Sequence, residues 1–154
     1  MDCIAAPAGT VLDERIDATL DEVSRVCAAM STALRASVDD EWIAAWDLGV
    51  TEALTNVVRH GYLGAPGQFI DVRCEYDGPF LQVRLSDQGR RIPASLWEAA
   101  TGDVFDFDPD DLQSVPEGGM GLSLIRACFD ESSYVGDGST NHLVLRKRLP
   151  ACAA

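Results

Sequence analysis

Between residues 60 and 69 the apolar side chains change their spacing, and this change limits the folds open to the chain. Before it, Leu20, Val23, Cys27, Met30 and Leu34 recur at steps of three and four, as do Ile43, Trp46, Val50, Leu54 and Val57. Such steps draw one apolar stripe along each of two helices. The first spans 17–36, and its early acids Asp17, Asp21 and Glu22 suit the positive end of the helix dipole. The second starts at Asp39 or Asp40, either able to cap it, and runs to about His60, where Gly61 ends it. After the change, Phe69, Ile70, Val72, Cys74 and Tyr76 lie in one strand, and Phe80, Leu81, Val83 and Leu85 in the next. Asp77-Gly78 is the turn between them, so 67–87 is a hairpin.

Residues 90–117 show no period apart from a helical piece at 95–100. Gly118-Gly119-Met120-Gly121 then opens a helix over 122–129, and strands follow at 131–137 and 141–149. A weak first strand fits 9–15. The order β-α-α-β-β-loop-α-β-β predicts an α+β fold. It is a two-layer sandwich with a mostly antiparallel mixed sheet and about three helices on one face. One domain over 9–150, with short tails at 1–8 and 151–154, suits the 154 residues.

Composition excludes several partners. Twenty-five acids against 12 bases give a net charge of −13. Nucleic-acid backbones and anionic membrane surfaces are bound by clustered bases, so neither is an expected partner. No apolar run approaches the ~20 residues of a membrane-spanning helix, and residues 1–8 do not read as a secretory signal. Cysteines at 3, 27, 74, 128 and 152 are odd in number and widely spaced, which points to thiols in a reducing compartment. A cytoplasmic protein is expected. With only His60 and His142, a histidine-based metal site is poorly supplied.

Three groups of residues can carry chemistry. Glu52, Asn56 and His60 stand four apart on the second helix and form one slowly drifting row. An amide oxygen can ligate Mg²⁺, which takes its other ligands from water and phosphates. A carboxylate one turn away can act as general base on a nearby hydroxyl. The same spacing also suits an exposed polar strip. At the end of a strand, the Asp87 carboxylate can accept from an amino group such as that of adenine, and Gly89 lets a ring approach the backbone. The alternative there is a plain turn. The glycines at 118–121 expose N–H groups at a helix start and can hold phosphate, or act as a hinge. They lack the Lys-Ser/Thr ending of a P-loop.

In this order the three groups resemble the GHKL ATPases of the Bergerat ATP-binding fold. Thr-Glu-Ala-Leu-Thr-Asn-Val-Val-Arg-His-Gly-Tyr at 51–62 is similar to one branch, the RsbW/SpoIIAB-type anti-sigma factors, which are serine-protein kinases. The likeness extends through Gly-Met-Gly-Leu-Ser-Leu-Ile and the closing Leu-Val-Leu-Arg-Lys-Arg-Leu, covering about 10–149. It implies ATP and Mg²⁺ as cofactors. Asn56 is then the metal ligand and part of the nucleotide site, and Glu52 the catalytic base acting on a partner's serine. Asp87 reads the adenine amine beside Gly89, while Gly118, Gly119, Met120, Gly121 and Leu122 wrap the phosphates. Residues 90–117 become the ATP lid. His60 belongs to the pattern as a partly buried structural group. The hydroxyl that the family places near the base falls on Thr140, with Asn141-His142 the alternative occupants of that place.

The chain departs from the family at three points. Arg91 stands where a further glycine is usual, and Glu117 where relatives often carry a base. The stretch 102–117 holds six acids and no base, close to half of the net charge. Acids over a triphosphate repel it unless Mg²⁺ and arginines screen them, and Arg90, Arg91 and Arg126 are the candidates. These departures bear on catalytic rate more than on binding.

The resemblance implies partner switching. Such a protein binds and inhibits a sigma factor or another regulator, and phosphorylates a serine on a STAS-domain anti-sigma factor antagonist. Relatives are commonly homodimers. The alternative is a nucleotide-binding regulatory module, catalytically weak or inactive, that only sequesters its partner.

Overall fold

The alternating run after residue 68 folds as expected in the computed structural model, which describes residues 8–100 and 120–150, without the side chain of Met120. Strands β2 (Phe69–Asp77) and β3 (Phe80–Asp87) form the hairpin. Gly78 takes the left-handed conformation (φ 58°) that the two-residue turn requires. On β2, Ile70, Val72 and Cys74 are buried while Asp71 and Arg73 between them are exposed. One face of the sheet therefore meets the core and the other meets water.

The remaining strands are β1 (Thr10–Asp17), β4 (Glu131–Asp137) and β5 (Thr140–Arg148). The sheet order is β1-β2-β3-β5-β4, and all four pairings are antiparallel. The weak first strand is real and ends two residues later than expected. Its pairing with β2 across two intervening helices is a long-range contact that local sequence does not encode.

Helices α1 (Leu20–Leu34), α2 (Asp40–Asn56), α3 (Ala94–Ala99) and α4 (Met120–Cys128) complete the fold. α1 is shorter than expected because Thr19 takes an extended conformation and its hydroxyl accepts from the Glu22 N–H. Leu20, counted in the apolar stripe, is exposed, and Val26 lies in the core instead. Asp39, not Asp40, caps α2 by accepting from the Trp42 N–H at 2.9 Å. Asp39→Ala is expected to cost about 1 kcal/mol of stability, read as a lower urea midpoint with unchanged slope.

α2 ends in a π-helical turn, Val57–Gly61, where an uninterrupted helix to His60 was expected. The N–H of Tyr62 closes that turn on the Val57 carbonyl, and buried Tyr62 donates its phenol to the Phe69 carbonyl at 2.7 Å. The extra residue in the turn thus joins the end of α2 to the start of β2.

α2 and α4 meet where Gly49 leaves room for Phe129. A Cβ at Gly49 would stand 2.5 Å from the Phe129 ring. Trp46 stacks on Trp42 and receives the Phe129 edge, both at 5.5 Å between centroids. On the open face, ion pairs such as Arg15–Asp71 and Arg73–Asp13 are solvated and each contributes little. Cys27, Cys74 and Cys128 are free thiols, and burial pushes the Cys74 thiol up to about 12. Among the described residues no helix is long and apolar enough to cross a membrane, and no three His, Cys, Asp or Glu gather to hold a metal.

Candidate functional site

A cavity of about 230 Å³ opens between the end of α2, the end of β3 and the first turns of α4. Its walls are mostly apolar, from Ala53, Val57, Ile92, Leu96, Leu122, Ile125 and Leu143. Asn56, His60, Asp87, Arg90 and Arg91 supply the polar groups. Few polar groups in an apolar cleft are the usual makeup of a small-molecule site, although whole-ligand pockets run larger, about 300–1,000 Å³. Lid residues 101–117, with Gly118 and Gly119, lie outside the described residues.

Helix α2 brings Asn56 to the wall, and Glu52 stands one turn earlier, half-buried. Gly121, in the first turn of α4, lies over that carboxylate: a Cβ there would sit 3.7 Å from Glu52 Oε2. Glu52 has no hydrogen-bond or ion-pair partner among the described residues. A half-buried carboxylate one turn from the cleft wall is suited to accept a proton.

Asp87 is buried at the end of β3. Its Oδ1 accepts from the Gly89 N–H at 2.8 Å and from Asn141 Nδ2 at 3.1 Å. No donor among the described residues reaches Oδ2. Gly89 crosses Gly61 so closely that a Cβ would stand 2.7 Å from the Gly61 carbonyl carbon, and the Arg90 N–H donates to the Gly61 oxygen at 2.8 Å. Two phenols hold the segment that follows. Tyr62 accepts from the Gln88 N–H at 2.8 Å, and Tyr134 accepts from the Ile92 N–H at 2.9 Å. Burial pushes both phenols above their usual range.

Several expectations about single residues change. His60, expected to be partly buried, is exposed at the cavity wall. Thr140 pairs with Asp137 beside the Gly138-Ser139 turn, and it is Asn141, 2% exposed, that meets Asp87 directly across the β3–β5 pairing. Of the arginines expected to screen phosphate, Arg90 is exposed at the cavity wall. Arg126 donates to the Trp97 and Ala100 carbonyls at the end of α3, and its guanidinium lies 5.2 Å from the centre of the Trp97 ring. Arg91 donates to Asn141 Oδ1 and to the Gly138 carbonyl. Neither Arg91 nor Arg126 is free of protein partners.

An α+β sandwich whose second helix and hairpin end frame one cleft defines the class of protein. The chain belongs to the histidine kinase-like ATPase domain family, whose profile matches residues 16–147. Among curated proteins it is similar to the serine-protein kinase RsbW of Staphylococcus epidermidis, 28% identical over 136 residues, covering 86% of this chain and 84% of that one. It is also similar to the anti-sigma F factor of Halalkalibacterium halodurans, 26% identical over 99 residues and 64% of each chain. Among solved structures it resembles a Mycobacterium tuberculosis chain comprising RsbU and RsbW domains, with a TM-score of 0.62 and 20% identity over 94% of this chain. The match covers 32% of that longer chain, and the likeness is one of fold.

Proposed function

We propose that this chain is an ATP- and Mg²⁺-dependent serine-protein kinase of the RsbW type, acting in the cytoplasm in a partner-switching pair. It would hold a sigma factor or equivalent regulator and phosphorylate a serine of a STAS-domain antagonist. One observation carries the reading: Glu52 and Asn56 stand on one helix beside a cleft where Asp87 keeps an oxygen free. ATP is the substrate. The Asp87 oxygen accepts from the adenine amine, and the apolar walls take the ring. The Asn56 amide oxygen would hold Mg²⁺ against the phosphates, and the metal when bound would offset their charge. Glu52 takes the serine proton as the serine oxygen forms its bond to the γ-phosphorus and the bond to the bridging oxygen of ADP breaks.

The test is incubation of the full chain with γ-labelled ATP, Mg²⁺ and STAS-domain proteins encoded beside it. Label on a serine of one of them is expected. ATP binding without transfer to any of them would replace the kinase reading with a sequestering module. No nucleotide binding would end both.

A further inference from the structure

We propose that Arg91 and Gly136 form a clamp that positions Asp87 to recognise the amino group of a purine base. The inference rests on the nucleotide-binding reading above and concerns how Arg91, at the cavity wall, and Gly136 act on Asp87 through another side chain.

Arg91 Nε donates to Asn141 Oδ1 at 3.0 Å and its terminal nitrogen donates to the Gly138 carbonyl at 2.9 Å. The guanidinium lies against Gly136 of β4, where an added Cβ would collide with it. A guanidinium has donors only. The Asn141 oxygen must therefore face Arg91, and the amide nitrogen must face the other way. That nitrogen donates to Asp87 Oδ1 and to the Gly89 carbonyl at 2.9 Å. The chain of constraints runs from Gly136 through Arg91 and Asn141 to Asp87. It occupies Oδ1 and leaves Oδ2 as a pure acceptor, matched to an exocyclic amine and opposed to a carbonyl. Without the clamp the Asn141 side chain loses its anchor at Oδ1 and can swing away from Asp87, and the carboxylate is then free to turn.

The test compares Mg-ATP with Mg-ITP, which carries a carbonyl in place of the amine, by calorimetry on the full chain. The unaltered chain should favour ATP. Arg91→Ala should lower the ATP-to-ITP affinity ratio roughly three- to tenfold, the worth of one oriented hydrogen bond. Gly136→Ala should lower the ratio in the same direction, because the atoms its methyl meets first are those of the Arg91 guanidinium. A merely structural role would weaken both nucleotides together and leave the ratio alone. An unchanged ratio in both variants overturns the clamp while the nucleotide reading stands. An unaltered chain that binds both nucleotides equally overturns the base-reading role of Asp87 and the clamp with it. One that binds neither overturns the nucleotide reading itself.

Discussion

Glu52→Gln is expected to keep Mg-ATP affinity within about twofold while lowering serine phosphorylation about 10²–10⁴-fold, the usual worth of a positioned general base. The substitution keeps the shape of the side chain and removes only its capacity to take a proton. Glu52 makes no bond to described residues that the amide would break, and its carboxylate stands beside Gly121, which has no side chain to crowd it. Asn56→Ala should behave differently and lose binding and transfer together, because the amide oxygen is proposed to hold the metal against the phosphates. Titration calorimetry and label transfer, run on the same two variants, separate the roles. Normal transfer by Glu52→Gln would remove Glu52 from the role of base.

Gly89→Ala is expected to lose detectable nucleotide binding and to lower the thermal midpoint by several degrees. The added carbon would meet the Gly61 backbone at 2.7 and 2.8 Å, and backbone cannot rotate away as a side chain can. Overpacking of this kind costs about 1–3 kcal/mol, and in a domain of this size each kcal/mol moves the midpoint by roughly 2–4 °C. The strand end must lift, which breaks the bond from Arg90 to Gly61 and moves Asp87 out of line. A variant that melts at the original temperature and binds ATP normally would show that the crossing is not tight in solution.

The parts of this fold that were legible in sequence are those with a local period or a local stop. The hairpin was legible because alternation and Asp77-Gly78 agree, and α2 because its stripe and its cap agree. The π-helical turn was hidden, since one extra residue in a turn leaves no mark on apolar spacing. It goes with the anchoring of Tyr62 to Phe69 and to the more distant Gln88. In the candidate site, the spacing of Glu52 and Asn56 fits an exposed polar strip as well, and the strand end at Asp87 fits a plain turn, so it was the family resemblance that singled them out. The meeting of Asn141 with Asp87 was not legible, because it joins two strands far apart in sequence. Arg91 could be noticed as a departure from a pattern. Its partners Asn141 and Gly138 are some fifty residues away, so its use could be seen only in three dimensions.

The contact between Gly61 and Gly89 has a further consequence for selectivity. It ties the helix bearing Asn56 to the strand bearing Asp87 through backbone alone, with no side chain to flex between them. Under the proposed reading the separation between the base-reading and phosphate-holding groups is thus a fixed length, and the site works as a gauge. A nucleotide whose base and phosphates stood farther apart would satisfy one end or the other, never both.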